Sequence, residues 1–474
     1  MSYIRYKTLN NKQYAYEITS HWDKEKKQSR NISKYLGPVD PDDNKIVTFV
    51  KKSRGREKLI LDFGDGYFLY EWIKISEYYA LFNQYIFEKI PGLLPLIIYR
   101  LCTQSAMYNC ENWHTGNVIS YLFKNIDLSS QRISEMMSSL GDESLQRSFF
   151  IDYLKLVGGS EKAVIIDATS LPNQINIDFN AWGHGDGKID KQFRLLCVID
   201  QINKTPLFYR LLPGNITDIS TLQTTIIELK AMGVNNSYVL MDAGYVSESN
   251  IIDLYERKID FLTRLPGGRK IYNNIILNHS IGIENLENAS VMGERSYFVK
   301  SFEIELYGKK AYAFVILDPE RKAKETKKLL QQYCNSKSER DIEKDKFEFA
   351  NCGIMVLISS KEIPAEEILS VYYLRLSVEQ VFCYSKSDLG LLPIRNHNDR
   401  TVRGYLFLQF LLLILYLKIK EQISGKNTVE QMLLTLKKLK CKVFDNQIVP
   451  AELTKSQKLL FDQAKLLVPK FLGI

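Results

Sequence analysis

The spacing of hydrophobic and polar positions changes several times along this 474-residue chain, and each change marks a different kind of element. Residues 3–36 alternate, in Tyr3-Ile-Arg-Tyr-Lys, Gln13-Tyr-Ala-Tyr-Glu-Ile-Thr and Ser29-Arg-Asn-Ile-Ser-Lys-Tyr-Leu. A period of two, with Asn10-Asn11 and Asp23–Lys27 between the runs and Gly37-Pro38 after them, predicts a small antiparallel sheet of three short strands. Residues 40–58 lose the alternation and become polar and highly charged, which is linker chemistry. Helical content follows over 67–156. Ala80–Ile90, Leu96–Ala106, Thr115–Phe123 and Glu143–Leu156 are apolar with few Pro or Gly, and Ser130 precedes a periodic segment stopped by Gly141.

From residue 163 short apolar runs take over. Ala163–Thr169, Gln192–Ile199 and Pro206–Leu212 read as strands, Asp218–Met232 as a helix and Ser237–Asp242 as a buried strand. Ser247–Lys258 is a second helix and Asp260–Arg264 a short strand. The order β, β, β, α, β, α, β is that of an RNase H-like α/β domain, a mixed sheet whose first three strands form a meander. Two of these strands end in an aspartate, Asp167 and Asp242. If the strands are neighbours, the carboxylates converge at one sheet edge, and two such charges are costly without a divalent cation between them. Either aspartate alone reads equally as a turn former or helix cap.

Further on, Lys270–Leu277, Ser296–Leu306 and Lys310–Leu317 read as strands and Glu320–Cys334 as a very basic helix. The run Tyr405–Leu417 reads as a buried core helix, too short to span a bilayer comfortably. Just before it stands Tyr372-Tyr-Leu-Arg375-Leu-Ser-Val-Glu379-Gln-Val-Phe-Cys-Tyr-Ser-Lys386. On a regular α-helix Tyr372, Arg375, Glu379 and Lys386 fall at roughly 0°, 300°, 340° and 320°, one narrow face. The apolar Val371, Leu374, Val378, Val381 and Phe382 fall largely opposite. A carboxylate among cations suits a metal beside a phosphate backbone, and equally an ion-paired surface helix.

Composition narrows the class. Hydrophobic content of 45% and charged content of 25% are those of a soluble globular protein. The net charge is +8, and residues 1–60 hold 14 Lys and Arg against 7 Asp and Glu. A basic N-terminal region suits an anionic polymer. Seven scattered cysteines without a Cys-x-x-Cys pair argue against a disulfide framework or zinc ribbon and for a reducing cytosol. The five histidines form no His-Glu-x-x-His pattern, and no signal-like segment opens the chain.

The motifs together resemble the DDE transposases of the IS4-type group, in the style of the IS1634-like insertion-sequence transposases. One block is Asp167-Ala-Thr169, with Gly183-His-Gly-Asp-Gly, Gln192, Pro206 and Gly214-Asn215-Ile-Thr-Asp218 after it. A second is Asp242-Ala-Gly244-Tyr245. The third is the stretch above, whose Tyr372, Arg375, Glu379 and Lys386 match the group's tyrosine–arginine–glutamate–lysine signature without a slip. The resemblance covers about residues 160–420, and more weakly the Tyr-rich N-terminal sheet ending in Lys34-Tyr-Leu-Gly37.

The resemblance implies a bacterial enzyme that cuts and joins DNA. Asp167, Asp242 and Glu379 would be the catalytic residues and hold two Mg²⁺ ions, with Mn²⁺ able to substitute. Tyr372, Arg375 and Lys386 would bind DNA, gripping phosphates near the transposon end. The partners would be double-stranded DNA, as terminal inverted repeats and target, and a second copy of the chain in a DNA-bound homodimer, with no membrane. The location would be cytoplasmic, at the nucleoid. The expected architecture is an RNase H-like mixed-sheet catalytic core with a β-rich insertion, preceded by a small β unit and a helical N-terminal region. Its boundaries fall at 1–60 (basic β unit) and 61–160 (helical), both as DNA-binding regions. The core occupies 161–265 and 361–420, the insertion subdomain 266–360 and the C-terminal helices 421–474. The interval from Asp242 to Glu379, 137 residues, exceeds what a bare core needs. Some relatives stack a tryptophan of the insertion on a flipped base. Here Trp22, Trp72, Trp113 and Trp182 all lie outside it, which leaves Tyr297, Phe298, Tyr307 or Phe314 for such a role. The Gly183–Gly187 segment reads as a flexible loop of the active site or DNA contact, and equally as a segment with a structural role. A nuclease of the same fold that does not transpose, and an idle DNA-binding descendant, are the competing functions.

Overall fold

A computed structural model describes residues 2–9, 12–23, 28–39, 57–158, 161–185, 188–335, 342–423 and 428–473. Contacts divide the chain into two units. One comprises residues 1–59 with 442–449 and 471–474, the other 60–441 with 450–470. The linker segment 40–56 and the Asp23–Lys27 turn lie wholly or mostly outside the described residues.

In the smaller unit the alternating N-terminal pattern forms the antiparallel sheet β1 (Ser2–Leu9), β2 (Lys12–Asp23), β3 (Gln28–Pro38), in that order. A bulge at Ala15/Tyr16 interrupts the β2–β3 register. Tyr16 and Tyr35 pack with centroids 5.3 Å apart, and the Lys7 ammonium lies 5.0 Å from the Tyr16 ring. Tyr3, Tyr6, Trp22 and Ile32 are exposed, a surface of rings and cations.

The larger unit starts with strand β4 (Leu59–Asp62) and a run of helices. The predicted helix 80–90 is split into Tyr79–Phe82 and a wider π turn, Asn83–Phe87. Ser130–Leu140 and Glu143–Leu156 form as expected, the second capped by the Asp142 carboxylate. The region 115–123 has only the short helix Ile119–Leu122.

The centre of this unit is one ten-stranded mixed sheet. Its strands are β5 (Glu161–Pro172), β6 (Ala181–Gly185), β7 (Lys188–Asp200), β8 (Pro206–Pro213), β9 (Asn235–Met241), β10 (Asp260–Arg264), β11 (Ala289–Met292), β12 (Arg295–Leu306), β13 (Lys309–Leu317) and β14 (Ile354–Ser359). β8, β7, β5, β9 and β10 are successive neighbours, with β5, β9 and β10 parallel and β7 antiparallel to β5. The sheet then continues through β14, β13, β12 and β11, all antiparallel. The strands of residues 266–360 thus extend the central sheet. The stretch Lys270–Leu277, expected as a strand, is instead the helix Lys270–His279, whose Ile275 and Ile276 are buried. Apolar residues at Ile271, Ile275 and Ile276 follow a helical spacing that a short window does not distinguish from a buried strand.

Alternation along the strands sorts their side chains. Val164 and Ile166 of β5 and Val239 and Met241 of β9 share a core cluster with Leu222, Ile226, Leu229, Ile251 and Leu254 from the two helices that follow β8 and β9. Ile165 and Leu240, one residue out of phase, are buried on the opposite face. Helices cover that face too. Tyr209 of β8 meets Phe150 at 5.8 Å and Phe410 of the helix Asp399–Gln422 at 5.4 Å. That helix is long and apolar enough to cross a membrane by length and composition, but 83% of its most apolar window is buried inside the protein. It is the core helix its sequence predicts.

Candidate active site

Asp167 and Asp242 belong to the second face. Asp167 follows Ile165 by two residues and Asp242 follows Leu240 by two, so alternation turns both away from the first cluster. The parallel register pairs Ile166 with Met241, so the next residues, Asp167 on β5 and Asp242 just past the end of β9, are lateral neighbours. β5 itself runs on to Pro172, so Asp167 lies within the strand rather than ending it. Its backbone neighbour Ala168 donates to its Oδ1 at 2.9 Å.

The helical segment Ile368–Asp388 lies against this edge, though not as the regular helix its sequence predicts. It comprises the helix Ile368–Tyr373, a tightened turn at Leu374-Arg375, the helix Leu376–Cys383 and a π turn Tyr384–Asp388. Bonds from Arg375 N to Tyr372 O and from Ser377 N to Leu374 O overwind the chain, and Leu389 N to Tyr384 O underwinds it. The regular winding is therefore corrected, while Arg375, Glu379 and Lys386 stay on the side that meets β5 and Tyr372 lies beside Arg375. Tyr372 is buried, Glu379 is half exposed at 51%, and Lys386 turns toward β5.

Arg375 is the centre of the arrangement. Its guanidinium donates to Asp167 Oδ2 at 3.1 Å and pairs with Glu379 Oε1 at 3.0 Å. The Tyr372 ring lies 5.9 Å from it. Lys386 donates to Thr169 Oγ1 at 2.7 Å and to the Ser170 carbonyl at 3.1 Å. The structure thus brings Asp167, Asp242, Arg375 and Glu379 to one sheet edge, with Glu379 reaching Asp167 through the arginine. Tyr372 supports Arg375 from inside, and Lys386 ties the helix to β5 two and three residues past Asp167. Among the described residues no three carboxylate, imidazole or thiolate groups stand close enough to hold a metal as they are.

The electrostatics centre on Asp167. Burial, reinforced by the charges of Asp242 and Asp218, pushes its carboxyl up to about 6, against the opposing pull of the Ala168 N–H and Arg375. Burial works against the charge on Arg375, yet Asp242, Tyr372, Asp167 and Glu379 together raise its pKa. A carboxyl that keeps its proton longer when folded contributes stability below the unfolded value near 3.8 and loses it as pH rises through about 6. Metal-free protein should therefore become less stable between pH 4 and 6, by on the order of 2 kcal/mol. Urea titrations across that range check this, and Asp167→Asn should flatten the slope.

Sequence reasoning missed a third aspartate here. Asp218 stands in the first motif block and opens the predicted helix Asp218–Met232, and the sequence assigned it no part in the site. In the structure it forms a 2.6 Å ion pair with Arg194, which also donates to the Ile216 carbonyl. Burial raises the Asp218 pKa, and the charge of Asp242 adds to the rise. Gly244, just past Asp242, is held to glycine by this carboxylate, since a Cβ there would lie 2.9 Å from Asp218 Oδ2. The available signal was Arg194 itself, a cation inside the apolar strand β7 that needed a partner.

The Gly-rich segment is also corrected. Gly183-His184-Gly185 belongs to β6, paired with β7 through Gly183↔Asp190 and His184↔Ile189, and residues 186–187 lie outside the described residues. A Cβ on Gly183 would lie 2.0 Å from the Gly214 carbonyl oxygen, so close backbone packing accounts for this glycine. Of the aromatics available for base stacking, Tyr297 and Phe314 are buried, which leaves Phe298 and Tyr307 partly accessible.

The profile of the family described as "Transposase DDE domain" matches residues 158–415. No curated protein matches the chain in sequence. Among solved structures, a piggyBac transposase synaptic complex with hairpin DNA is similar at 8% identity and a TM-score of 0.39, covering 79% of each chain. The Drosophila P element transposase strand transfer complex is similar at 12% identity and a TM-score of 0.18, covering 67% of this chain and 86% of that one. Scores this low establish no shared fold.

Proposed function

Because the chain belongs to the transposase DDE domain family, we propose that it is an insertion-sequence transposase of the IS4 type that binds terminal inverted repeats and catalyses DNA cleavage and strand transfer. The strand order β8-β7-β5-β9-β10, with its antiparallel β7 and parallel β5, β9 and β10, supports an RNase H-like core. The observation that carries the reading is the placement of Asp167 and Asp242 on adjacent parallel strands, each one residue past the Ile166–Met241 pair, with Glu379 joined to Asp167 by one shared cation.

The donor set fits divalent metal. Asp167 and Glu379 share the single Arg375 cation, and the charge of Asp242 acts on both Asp167 and Arg375, so three carboxylates face one positive charge and a divalent cation suits the excess. Asp167, Asp242 and Glu379 would hold two Mg²⁺ ions, or Mn²⁺, and bound metal would supply nucleophile activation and neutralisation of the leaving oxygen. The protein's own part is positional. Burial of Asp167 and the strand register fix two carboxylates, while Glu379, on an exposed helix edge, can adjust. Arg375, released from Asp167, presents a two-pronged donor to a phosphate. Lys386 holds the helix on β5 so that this donor stays beside the aspartates, and Tyr372 limits the swing of Arg375. The basic N-terminal sheet would add duplex contacts, and a second copy would bridge the two element ends at the nucleoid.

The test is direct. The protein is incubated with a labelled duplex carrying the repeat found beside its gene, with Mg²⁺ or with EDTA. The expected result is metal-dependent nicking at the repeat boundary, followed by joining of the new 3′ end to target DNA. Nicking without regard to the repeat would leave only a nuclease, and absence of metal-dependent cutting would overturn the proposal.

A further inference from the structure

A cleft of about 640 Å³ opens beside the candidate active site. Its walls come from Arg100–Tyr108, from the helix Ser130–Leu140 and from the loop that follows the Glu379 helix. That loop is pinned from behind. The buried Arg100 donates to the carbonyls of Leu389 at 2.5 Å and Ser105 at 2.9 Å, and Tyr405 donates to those of Gly390 and Leu391. With its carbonyls held, the loop presents Arg395 and His397, both exposed, at the cleft.

Three features describe what the cleft would take. Among the described residues its lining carries Arg100, Lys386, Arg395 and His397 and no carboxylate, so the ligand is anionic. Tyr108, 63% exposed, offers a ring on which a flat base can stack. The volume falls in the range of about 300–1,000 Å³ typical of small-ligand sites, which suits about two nucleotides of a strand rather than a duplex. Lys386 gives the position. It lines the cleft and also contacts Thr169, which a strand rise of about 3.3 Å per residue places roughly 7 Å along β5 from Asp167.

We propose that this cleft binds single-stranded DNA of about two nucleotides directly adjoining the scissile phosphate, with Arg395 facing its anionic backbone and Tyr108 stacking on a base. The inference rests on the transposase reading. It requires the strand to leave the duplex as it passes from the catalytic carboxylates, and it makes the loop after the Glu379 helix a DNA-contacting element.

Fluorescence anisotropy tests it, with EDTA present so that no strand is cut. Two labelled duplexes are compared, one blunt at the repeat boundary and one with a short single-stranded extension past it. Wild-type protein should bind the extended duplex about tenfold more tightly. Tyr108→Ala and Arg395→Gln should each lose most of that preference while binding the blunt duplex within about twofold of wild type, and Arg395→Gln should lower the salt dependence by about one counterion. Protein with benzoylphenylalanine at position 108 should cross-link to the extension. No preference for the extension, or variants that retain it, overturns the inference. If wild type nicks the repeat yet shows no preference, the cleft proposal alone falls. If it binds neither duplex, the transposase reading falls and takes the cleft proposal with it.

Discussion

Asp242→Asn should lower metal-dependent nicking of the repeat by at least about a thousandfold, about 4 kcal/mol of barrier, while leaving the fold intact. Asparagine has the shape of aspartate, so the short turn Ala243–Tyr245 that follows β9 is kept. What is lost is one negative charge beside Asp167. The two remaining carboxylates, which share the single Arg375 cation, supply too little charge to hold two divalent ions against water. Thermal stability should stay about level, because the repulsion that Asp242 adds on Asp167 and Asp218 is offset by its attraction to Arg375. That difference separates a catalytic loss from a folding defect. Nicking assays beside circular-dichroism melts check both, and nicking within tenfold of wild type would remove Asp242 from the proposed centre.

The strands that carry this site were legible because they are buried on both faces. A strand with no solvent side reads as a continuous apolar run, and polar residues such as Asp167 and Asp242 then stand out where the run stops. Pairing between distant segments was less accessible. Nothing local in Ile354–Ser359 says that it will pair with β10, and this pairing makes residues 266–360 a continuation of the central sheet. The helical wheel for Tyr372–Lys386 missed the differing burial of its residues for a different reason. It assumed 3.6 residues per turn, whereas the backbone tightens at Leu374-Arg375 and widens after Cys383. Each departure rotates every later side chain, and so Tyr372 went inward and Lys386 reached β5. Asp218 escaped notice because its partner Arg194 is 24 residues away and meets it only through the β7–β8 turn.

Arg375→Gln should move metal binding and catalysis in opposite directions. In the DNA-free protein the guanidinium spans Asp167 at 3.1 Å and Glu379 at 3.0 Å, so a divalent ion must displace it to reach both carboxylates. Glutamine keeps a hydrogen-bonding head but no charge. Without DNA, the variant should bind Mn²⁺ about tenfold more tightly than wild type, read by electron paramagnetic resonance or calorimetry. Its metal-free stability should fall by on the order of 2 kcal/mol, because Asp167 is left mostly buried without its cation, and added Mn²⁺ should restore it. Nicking should nevertheless drop by about a hundredfold, since the two-pronged phosphate donor is gone. In the wild type a DNA phosphate would compete with Asp167 for Arg375, so DNA should tighten Mn²⁺ binding, and by reciprocity Mn²⁺ should tighten DNA binding by the same factor. In Arg375→Gln that mutual factor should approach one. Weaker or unchanged Mn²⁺ binding by the DNA-free variant would show that the arginine does not hold the place of a metal, and Arg375 would then be a fixed structural brace between β5 and the helix of Glu379.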